Sequence, residues 1–161
     1  MDIRFRAIKA ADNQALASII RNALLEFGAA RPGTVYFDPT TDDLYALFQQ
    51  ARSAYFVAVD ENNQVLGGAG IYPTPGLPEG HCELVKFYLL PAARGQGTGS
   101  ALTKICLDTA ATMGYTHVYL ESLPELKKAL RLYEREGFQY LTGPMGQSGH
   151  FGCDLWMLRA L

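Results

Sequence analysis

The sequence predicts an α+β fold: a central, twisted and mostly antiparallel sheet of about seven strands, with helices on both faces. Seven short segments show the two-residue alternation or the apolar run of strands, and four others repeat apolar residues at helical spacing. The stretch from His81 to Leu120 combines a buried strand, a glycine-rich turn, a helix and a second strand. That order predicts one right-handed parallel β-α-β crossover in the sheet.

Length and composition indicate one domain over residues 1–161, because 161 residues with 48% hydrophobic content can bury a sizeable core. A formal net charge of -2 disfavours broad capture of nucleic acid. The three cysteines have no metal-like spacing, and neither a signal peptide nor a membrane span is evident. We therefore expect a cytoplasmic protein with free thiols, no metal, no nucleic-acid partner and no membrane association.

The first half of the chain begins with an alternating strand around Phe5. Asp12 is expected to cap a helix that Gly28 ends, and a short amphipathic helix is predicted from the acidic residues before Leu44 through Ala51. The segments AYFVAV and QVLGGAGIYP flank the turn-forming residues DENNQ, which predicts a β-hairpin.

The second half contains the crossover and the end of the sheet. After the glycine turn, a helix with an apolar face is predicted to end at Gly114, and THVYLES is the next strand. Pro124 is expected to start the last helix, which ends at Gly137. The segments FQYLT and CDLWML are predicted as two late strands joined by a glycine-rich connection.

The glycine turn, RGQGTGS, is typical of a phosphate-binding site, because glycines allow close backbone approach and a helix N-terminus presents free N–H groups. A P-loop is excluded because its Lys and Ser or Thr are missing. A dinucleotide fingerprint fails at Ser100, where the third glycine belongs. A methyltransferase-like GxGxG turn, with Glu121 holding a ribose, remains an alternative.

Two motifs resemble the GNAT superfamily of acetyl-CoA-dependent N-acyltransferases. Arg94, Gly97 and Gly99 match its R/Q-x-x-G-x-G/A signature, and the segment ALRLYEREGF from Ala129 to Phe138 lies at the expected distance. The resemblance covers nearly the whole chain and implies a GNAT fold, acetyl-CoA as co-substrate and a possible homodimer. It places the cofactor against the turn and the preceding strand, at Phe87, Leu89, Leu90, Arg94, Gly95, Gln96, Gly97, Thr98, Gly99 and Ser100.

Two residues are predicted to carry the chemistry. Glu83 is a carboxylate inside an apolar strand, which is costly without a partner or a task, and it occupies a position similar to the general base of several family members. Tyr133 matches the tyrosine that protonates the departing thiolate in many members. The family also implies that main-chain N–H groups near Leu89 polarise the thioester carbonyl. One departure is Leu126, where many relatives have Asn.

The acceptor site is expected around Tyr36, His81 and His150, and the acceptor is expected to be a small-molecule or peptide amine. Glu26, Arg31 and Asp38 are further candidates for shaping that site, because the first two helices and their loop cover the cofactor edge in this family. His150 lies between glycines and is suited to lining a pocket or relaying a proton. The resemblance favours direct transfer in a ternary complex. A catalytically idle acyl-CoA sensor is the alternative, favoured if Glu83 is locked in an ion pair.

Overall fold

A computed structural model describes all 161 residues and contains one seven-stranded sheet of strand order β1-β2-β3-β4-β5-β7-β6. Neighbouring strands are antiparallel except for the parallel pair β4–β5. The predicted fold class and the single parallel crossover are therefore confirmed. The strands are β1 (Arg4–Ala7), β2 (Ala54–Val59), β3 (Val65–Tyr72), β4 (His81–Leu89), β5 (His117–Ser122), β6 (Gln139–Tyr140) and β7 (Leu155–Ala160).

Four helices flank the sheet: α1 (Asn13–Glu26), α2 (Leu44–Leu47), α3 (Thr98–Thr112) and α4 (Lys127–Arg135). The expected helix through Ala51 is wrong in extent: α2 is one turn long. The chain turns after it, since Ser53 donates its hydroxyl to the carbonyls of Phe48 and Gln50, and Arg52 has a left-handed φ of 61°.

Two other helix starts differ from prediction. Asp12 makes no side-chain cap to α1, because its carboxylate instead accepts hydrogen bonds from the Arg6 guanidinium and the Lys9 amide. Pro124 begins a turn rather than a helix: Leu126, with ψ 57°, is still non-helical, and α4 starts one residue later.

Alternate residues of β2 separate two cores. Tyr55, Val57 and Val59 lie in the core that contains α1 and α2, whereas Ala58 lies in the core that contains α3 and α4. Since side chains of a strand point alternately to its two faces, this pattern places helices on both sides of the sheet.

The glycines of β3 make room for Tyr55. A Cβ on Gly68 or Gly70 would come within 2.5 or 2.6 Å of the Tyr55 ring. The ring lies across this strand, and its buried hydroxyl donates to the carbonyl of Lys86 at 2.7 Å. Lys86 has φ 52°, and the pairing register of β3 with β4 shifts at this position. Strand β4 therefore contains a bulge at Lys86, which the Tyr55 hydrogen bond stabilises.

Strands β4 and β5 diverge soon after they begin. They pair over three residues, from His81 opposite His117 to Glu83 opposite Tyr119. Beyond that point β4 continues to Leu89 and β5 to Ser122 without pairing to each other. The divergence opens a cleft between the two strands, and Glu83 lies where it begins.

Candidate active site

The cleft has a volume of about 450 Å³ and extends from Glu83 to the glycine turn. Its walls include Phe87 and Leu89 of β4 and Tyr133 of α4. An unpaired strand edge along one wall and mixed apolar and charged residues along the others are typical of a site for an extended ligand with polar ends.

The glycine turn forms one end of the cleft. Gly95 and Gly97 have left-handed φ values of 73° and 79°, and no protein atom lies within 4 Å of where their Cβ atoms would be. No side chain caps the N-terminus of α3, and its first turn contains no acidic residue. The free N–H groups of that turn suit a phosphate.

Basic residues line the cleft, although the chain is negative overall. Lys127, Lys128, Arg131 and Arg135 of α4 line the cleft together with Arg94. Local positive charge beside an uncapped helix N-terminus fits a polyanionic group such as a pyrophosphate.

Arg94 also fixes the end of β4. Its guanidinium donates two hydrogen bonds to the Leu89 carbonyl, at 3.1 and 2.9 Å, and pairs with Glu26 at 2.7 Å. It lies 5.0 Å from the centre of the Phe27 ring. Arg94 therefore joins β4 to α1 while its side chain borders the cleft.

Most of the predicted cofactor residues line this cleft, and three do not. Gln96 turns its amide toward the Ala92 carbonyl, and Leu90 lies outside the lining. Thr98 is 3% exposed, and its buried hydroxyl has no hydrogen-bond partner. The members in the lining are Phe87, Leu89, Arg94, Gly95, Gly97, Gly99 and Ser100.

Glu83 is 2% exposed, and its one hydrogen-bond partner among the side chains is Thr74, whose hydroxyl donates at 2.7 Å. Burial, followed by the nearby negative charge of Glu121, raises the pKa of Glu83 to about 8. The carboxyl group of Glu83 therefore carries its proton at neutral pH. It forms no ion pair with Lys86, which is bound to Asp38 instead.

Asp38 contacts two basic side chains, those of Lys86 and His150. One of its oxygens lies 3.1 Å from Lys86 Nζ and 2.8 Å from His150 Nε2, and the other accepts from Thr40. Burial alone would raise the pKa of Asp38, but the hydrogen bonds from His150 and Thr40 and the Lys86 charge lower it well below its usual range. Asp38 is therefore ionised.

Glu121 holds the loop after β6 against β5. Its two oxygens accept hydroxyl hydrogen bonds from Tyr119 and Ser148, and the Tyr119 oxygen accepts one from the Met145 amide. These contacts bring His150 into the cleft, with Nδ1 4.0 Å from a Glu121 oxygen. One ligand atom from each of Glu83, Glu121 and His150 lies within 4.8 Å of the other two. Hydrogen-bond acceptors therefore surround this point, where a cation would be favourable.

Tyr133 occupies the apolar wall of the cleft. Its ring packs edge-on against Phe87 and Phe138, with centroids 5.8 Å apart in each pair. Burial raises the pKa of Tyr133 far above its usual value, so the phenol keeps its proton. A protonated hydroxyl on the cleft wall can donate that proton to a stronger base formed nearby.

The cysteines are poorly suited to nucleophilic attack. Cys153 lines the cleft, but burial raises the pKa of its thiol to about 12. Burial raises the pKa of Cys82 to about 12 as well. A thiol with such a pKa supplies almost no thiolate at neutral pH.

The three predicted acceptor residues lie in different places. His150 lines the cleft. His81 lies at the start of β4, stacked on His117 with ring centroids 4.4 Å apart, and Tyr36 packs against Phe37; neither lines the cleft.

Sequence reasoning named Asp38 only as one of several residues shaping the acceptor site, and it missed Thr74 and Ser148 altogether. Their partners lie 9 to 112 positions away in the chain, and no local pattern encodes such pairs. The available signal was Lys86, a second charged residue three positions after Glu83 in the same apolar strand.

The fold and cleft belong to a known class of enzyme. Residues 17–138 match the family model described as Acetyltransferase (GNAT) family. The chain is 40% identical over 157 residues to the "Uncharacterized N-acetyltransferase YjgM" of Escherichia coli K12, covering 97% of this chain and 93% of that protein. The chain therefore belongs to the GNAT acetyltransferase family and is an acyltransferase of the N-acetyltransferase type, as the motifs predicted.

Solved structures agree on the fold. A GNAT-family acetyltransferase from Staphylococcus aureus Mu50 superposes with a TM-score of 0.87 at 15% identity, over 99% of both chains. A GNAT phosphinothricin acetyltransferase from Sinorhizobium meliloti, solved in complex with AcCoA, has a TM-score of 0.77 at 21% identity, over 100% of this chain and 89% of that one. Separately, none of the helices has the length and apolar character required to cross a bilayer.

Proposed function

We propose that this protein transfers the acetyl group of acetyl-CoA to a primary amine by direct attack in a ternary complex. The observation that carries the proposal is the position of Glu83, a buried proton-binding group at the point where β4 and β5 separate. Tyr133 faces the same cleft from α4. A proton acceptor for the amine and a proton donor for the leaving thiolate therefore border one cavity.

Acetyl-CoA fits the other end of this cavity. The uncapped helix N-terminus and the positive-φ glycines suit its pyrophosphate, and the surrounding lysines and arginines complement its charge. The unpaired edge of β4 offers main-chain groups to the pantetheine arm. The Sinorhizobium meliloti protein of the same fold was solved with AcCoA, which supports this cofactor.

The chemistry assigned to the residues is a sequence of proton movements around one acyl transfer. Glu83 accepts a proton from the acceptor ammonium, which frees the nitrogen lone pair to attack the thioester carbon. Main-chain N–H groups near Leu89 stabilise the negative charge that develops on the carbonyl oxygen. Tyr133 gives its proton to the sulfur as the carbon–sulfur bond breaks. The extra proton on the attacking nitrogen returns to the Tyr133 phenolate, so free thiol and neutral acetylated amine leave.

The electrostatics of the acceptor end favour a cationic substrate. Glu83 keeps its proton at neutral pH first because burial disfavours its charged form and second because the adjacent Glu121 is negative. An ammonium placed between the two carboxylates compensates that charge and lowers the pKa of Glu83. We therefore expect acceptors that are protonated in solution, and a kcat/KM that rises with pH toward about 8, because kcat/KM reports the groups of the free enzyme.

Two alternative functions are less well supported. An idle acyl-CoA sensor was favoured if Glu83 were locked in an ion pair, but Lys86 pairs with Asp38 and leaves Glu83 hydrogen-bonded to Thr74. The methyltransferase interpretation gives way to the family assignment, and Glu121 is already occupied by two hydroxyl groups.

The test is a screen of amines with acetyl-CoA, with acetylated product measured by mass spectrometry and thiol release measured in parallel. Glu83→Gln is expected to lower kcat about a hundredfold or more near neutral pH, whereas Glu61→Gln, which changes an exposed turn residue, should match the wild type. Wild-type kcat in Glu83→Gln at every pH would refute the assigned role. Absence of saturable acetyl-CoA or CoA binding by calorimetry would refute the cofactor assignment.

Cytoplasmic localisation and homodimerisation are also proposals. All three cysteines are free, which fits a reducing compartment. Cell fractionation and analytical ultracentrifugation test the two proposals separately.

A further inference from the structure

Glu83 poses a problem for the proposed reaction, because it starts the cycle with a proton already bound at neutral pH. A group that is to accept a proton from the amine must first lose its own. The residue is 2% exposed, so bulk water has little direct access to it. Some neighbouring group must therefore take that proton.

His150 has the right chemistry and position. Asp38 is ionised and lies 2.8 Å from Nε2, so Nε2 carries a hydrogen; in the neutral imidazole the free lone pair is then on Nδ1. Nδ1 lies 4.0 Å from a Glu121 oxygen, and one imidazole nitrogen lies within 4.8 Å of an oxygen of Glu83 and of Glu121. One bridging water can span the gap to Glu83.

The loop that carries His150 is held in place from three sides. The His150 amide donates to Ser148, whose hydroxyl binds Glu121. Gly152 donates its amide to the Gly33 carbonyl at 2.8 Å, and the Gln147 amide binds the Pro75 carbonyl at 2.7 Å. These contacts fix the imidazole between β5 and the loop that contains Asp38.

We propose that Asp38 and His150 form a proton-relay pair, in which His150 Nδ1 receives the proton that leaves Glu83 and Asp38 stabilises the resulting imidazolium. The inference rests on the proposed function and extends it. In the step, the O–H bond of Glu83 breaks and an N–H bond forms at Nδ1, so the carboxylate is free to accept the ammonium proton. The proton then passes to solvent, since the His150 side chain is 13% exposed.

Charged groups around the imidazole support this direction of transfer. Three carboxyl groups surround it, and Lys86 Nζ lies 3.1 Å from the Asp38 oxygen that also faces Nε2. Arg21 adds a more distant positive charge near Asp38 and Lys86. The excess of negative charge stabilises an imidazolium once it forms. The titratable and charged groups around His150 are Asp38, Glu83, Lys86, Glu121 and Cys153, whose amide donates to the His150 carbonyl.

The kinetic test compares His150→Ala with the matched histidine control His117→Gln, which changes a residue outside the cleft. The relay predicts a kcat loss of about a hundredfold at pH 6.5 that shrinks as pH rises past the titration of Glu83, because the carboxyl group is then already ionised when the cycle begins. A purely structural role predicts the same loss at both ends of the pH range. Added 2-methylimidazole should restore acetylated amine in His150→Ala but not in Glu83→Gln.

A second measurement needs no activity and separates failure of the relay from failure of the proposed function. Long-range proton–nitrogen NMR of the histidine rings in the wild type should show the His150 hydrogen on Nε2, and Asp38→Asn should weaken that preference. A hydrogen on Nδ1 in the wild type would overturn the relay, whatever the enzyme acetylates. The relay would also be overturned if His150→Ala lost the same kcat at every pH and 2-methylimidazole did not restore it, while Glu83→Gln still inactivated the enzyme.

Discussion

The raised pKa of Glu83 predicts how the stability of the protein changes with pH. The folded protein keeps the Glu83 proton up to about pH 8, whereas a glutamate in the unfolded chain releases it near the ordinary value of 4.5. The contribution of this group to stability is therefore full below pH 4.5 and is lost as pH rises through about 8. Within that interval, each rise of one pH unit lowers the contribution of Glu83 to the free energy of unfolding by about 1.4 kcal/mol.

Glu83→Gln should remove this dependence, because glutamine keeps the shape and does not titrate. Between pH 5 and pH 8, the free energy of unfolding of the wild type should fall by roughly 4 kcal/mol relative to Glu83→Gln. Urea denaturation at four pH values in that range measures the difference, and Glu61→Gln is the exposed control. Parallel stability curves for wild type and Glu83→Gln would refute the burial argument.

Three further changes test other parts of the site. Tyr133→Phe should lower kcat about a hundredfold with little effect on the KM for acetyl-CoA. The control Tyr140→Phe changes an exposed residue and should leave kcat unchanged. Equal kcat values for the two variants in steady-state assays would count against Tyr133 as the proton donor. Arg94→Met should weaken CoA binding about tenfold or more in calorimetry, through lost charge and a less well-held β4, and an unchanged Kd would contradict this. Tyr55→Phe should lower the free energy of unfolding by about 1 to 3 kcal/mol, because the buried Lys86 carbonyl loses its donor; an unchanged urea midpoint would disprove that account.

The stability of β4 and the chemistry of the cleft are connected through Tyr55. The small residues of β3 admit its ring, and its hydroxyl holds the bulge at Lys86. The bulge residue in turn pairs with Asp38, which orients His150. A glycine-rich strand that is unremarkable in sequence therefore contributes to the arrangement of the acceptor end.

Much of the fold could be predicted because it depends on local patterns. Alternating apolar residues specified strands such as β1, and glycines ended helices at Gly114 and Gly137 near the observed positions. Helix ends set by tertiary contacts were predicted less well. The turn after α2 depends on Ser53 hydrogen bonds, and Asp12 binds Arg6 instead of the helix that follows it.

The candidate site also has one part that local sequence patterns predict and one part that depends on tertiary contacts. The cofactor end comes from one continuous stretch around Gly97, so a motif could identify it. The acceptor end assembles Asp38, Glu83 and His150 from three segments, and their proximity depends on how the loop after β6 docks. Sequence reasoning singled out Glu83 and His150 by residue type, but it could not show that Asp38 connects to the latter.

The most direct test of the proposed function is to incubate the protein with acetyl-CoA and a panel of amines, and to quantify free CoA thiol and acetylated amine in the same samples. We expect at least one cationic primary amine to be acetylated in an amount equal to the thiol released, with a kcat/KM that rises toward pH 8. Thiol release without acetylated amine, or no turnover with any amine in spite of bound acetyl-CoA, would contradict it.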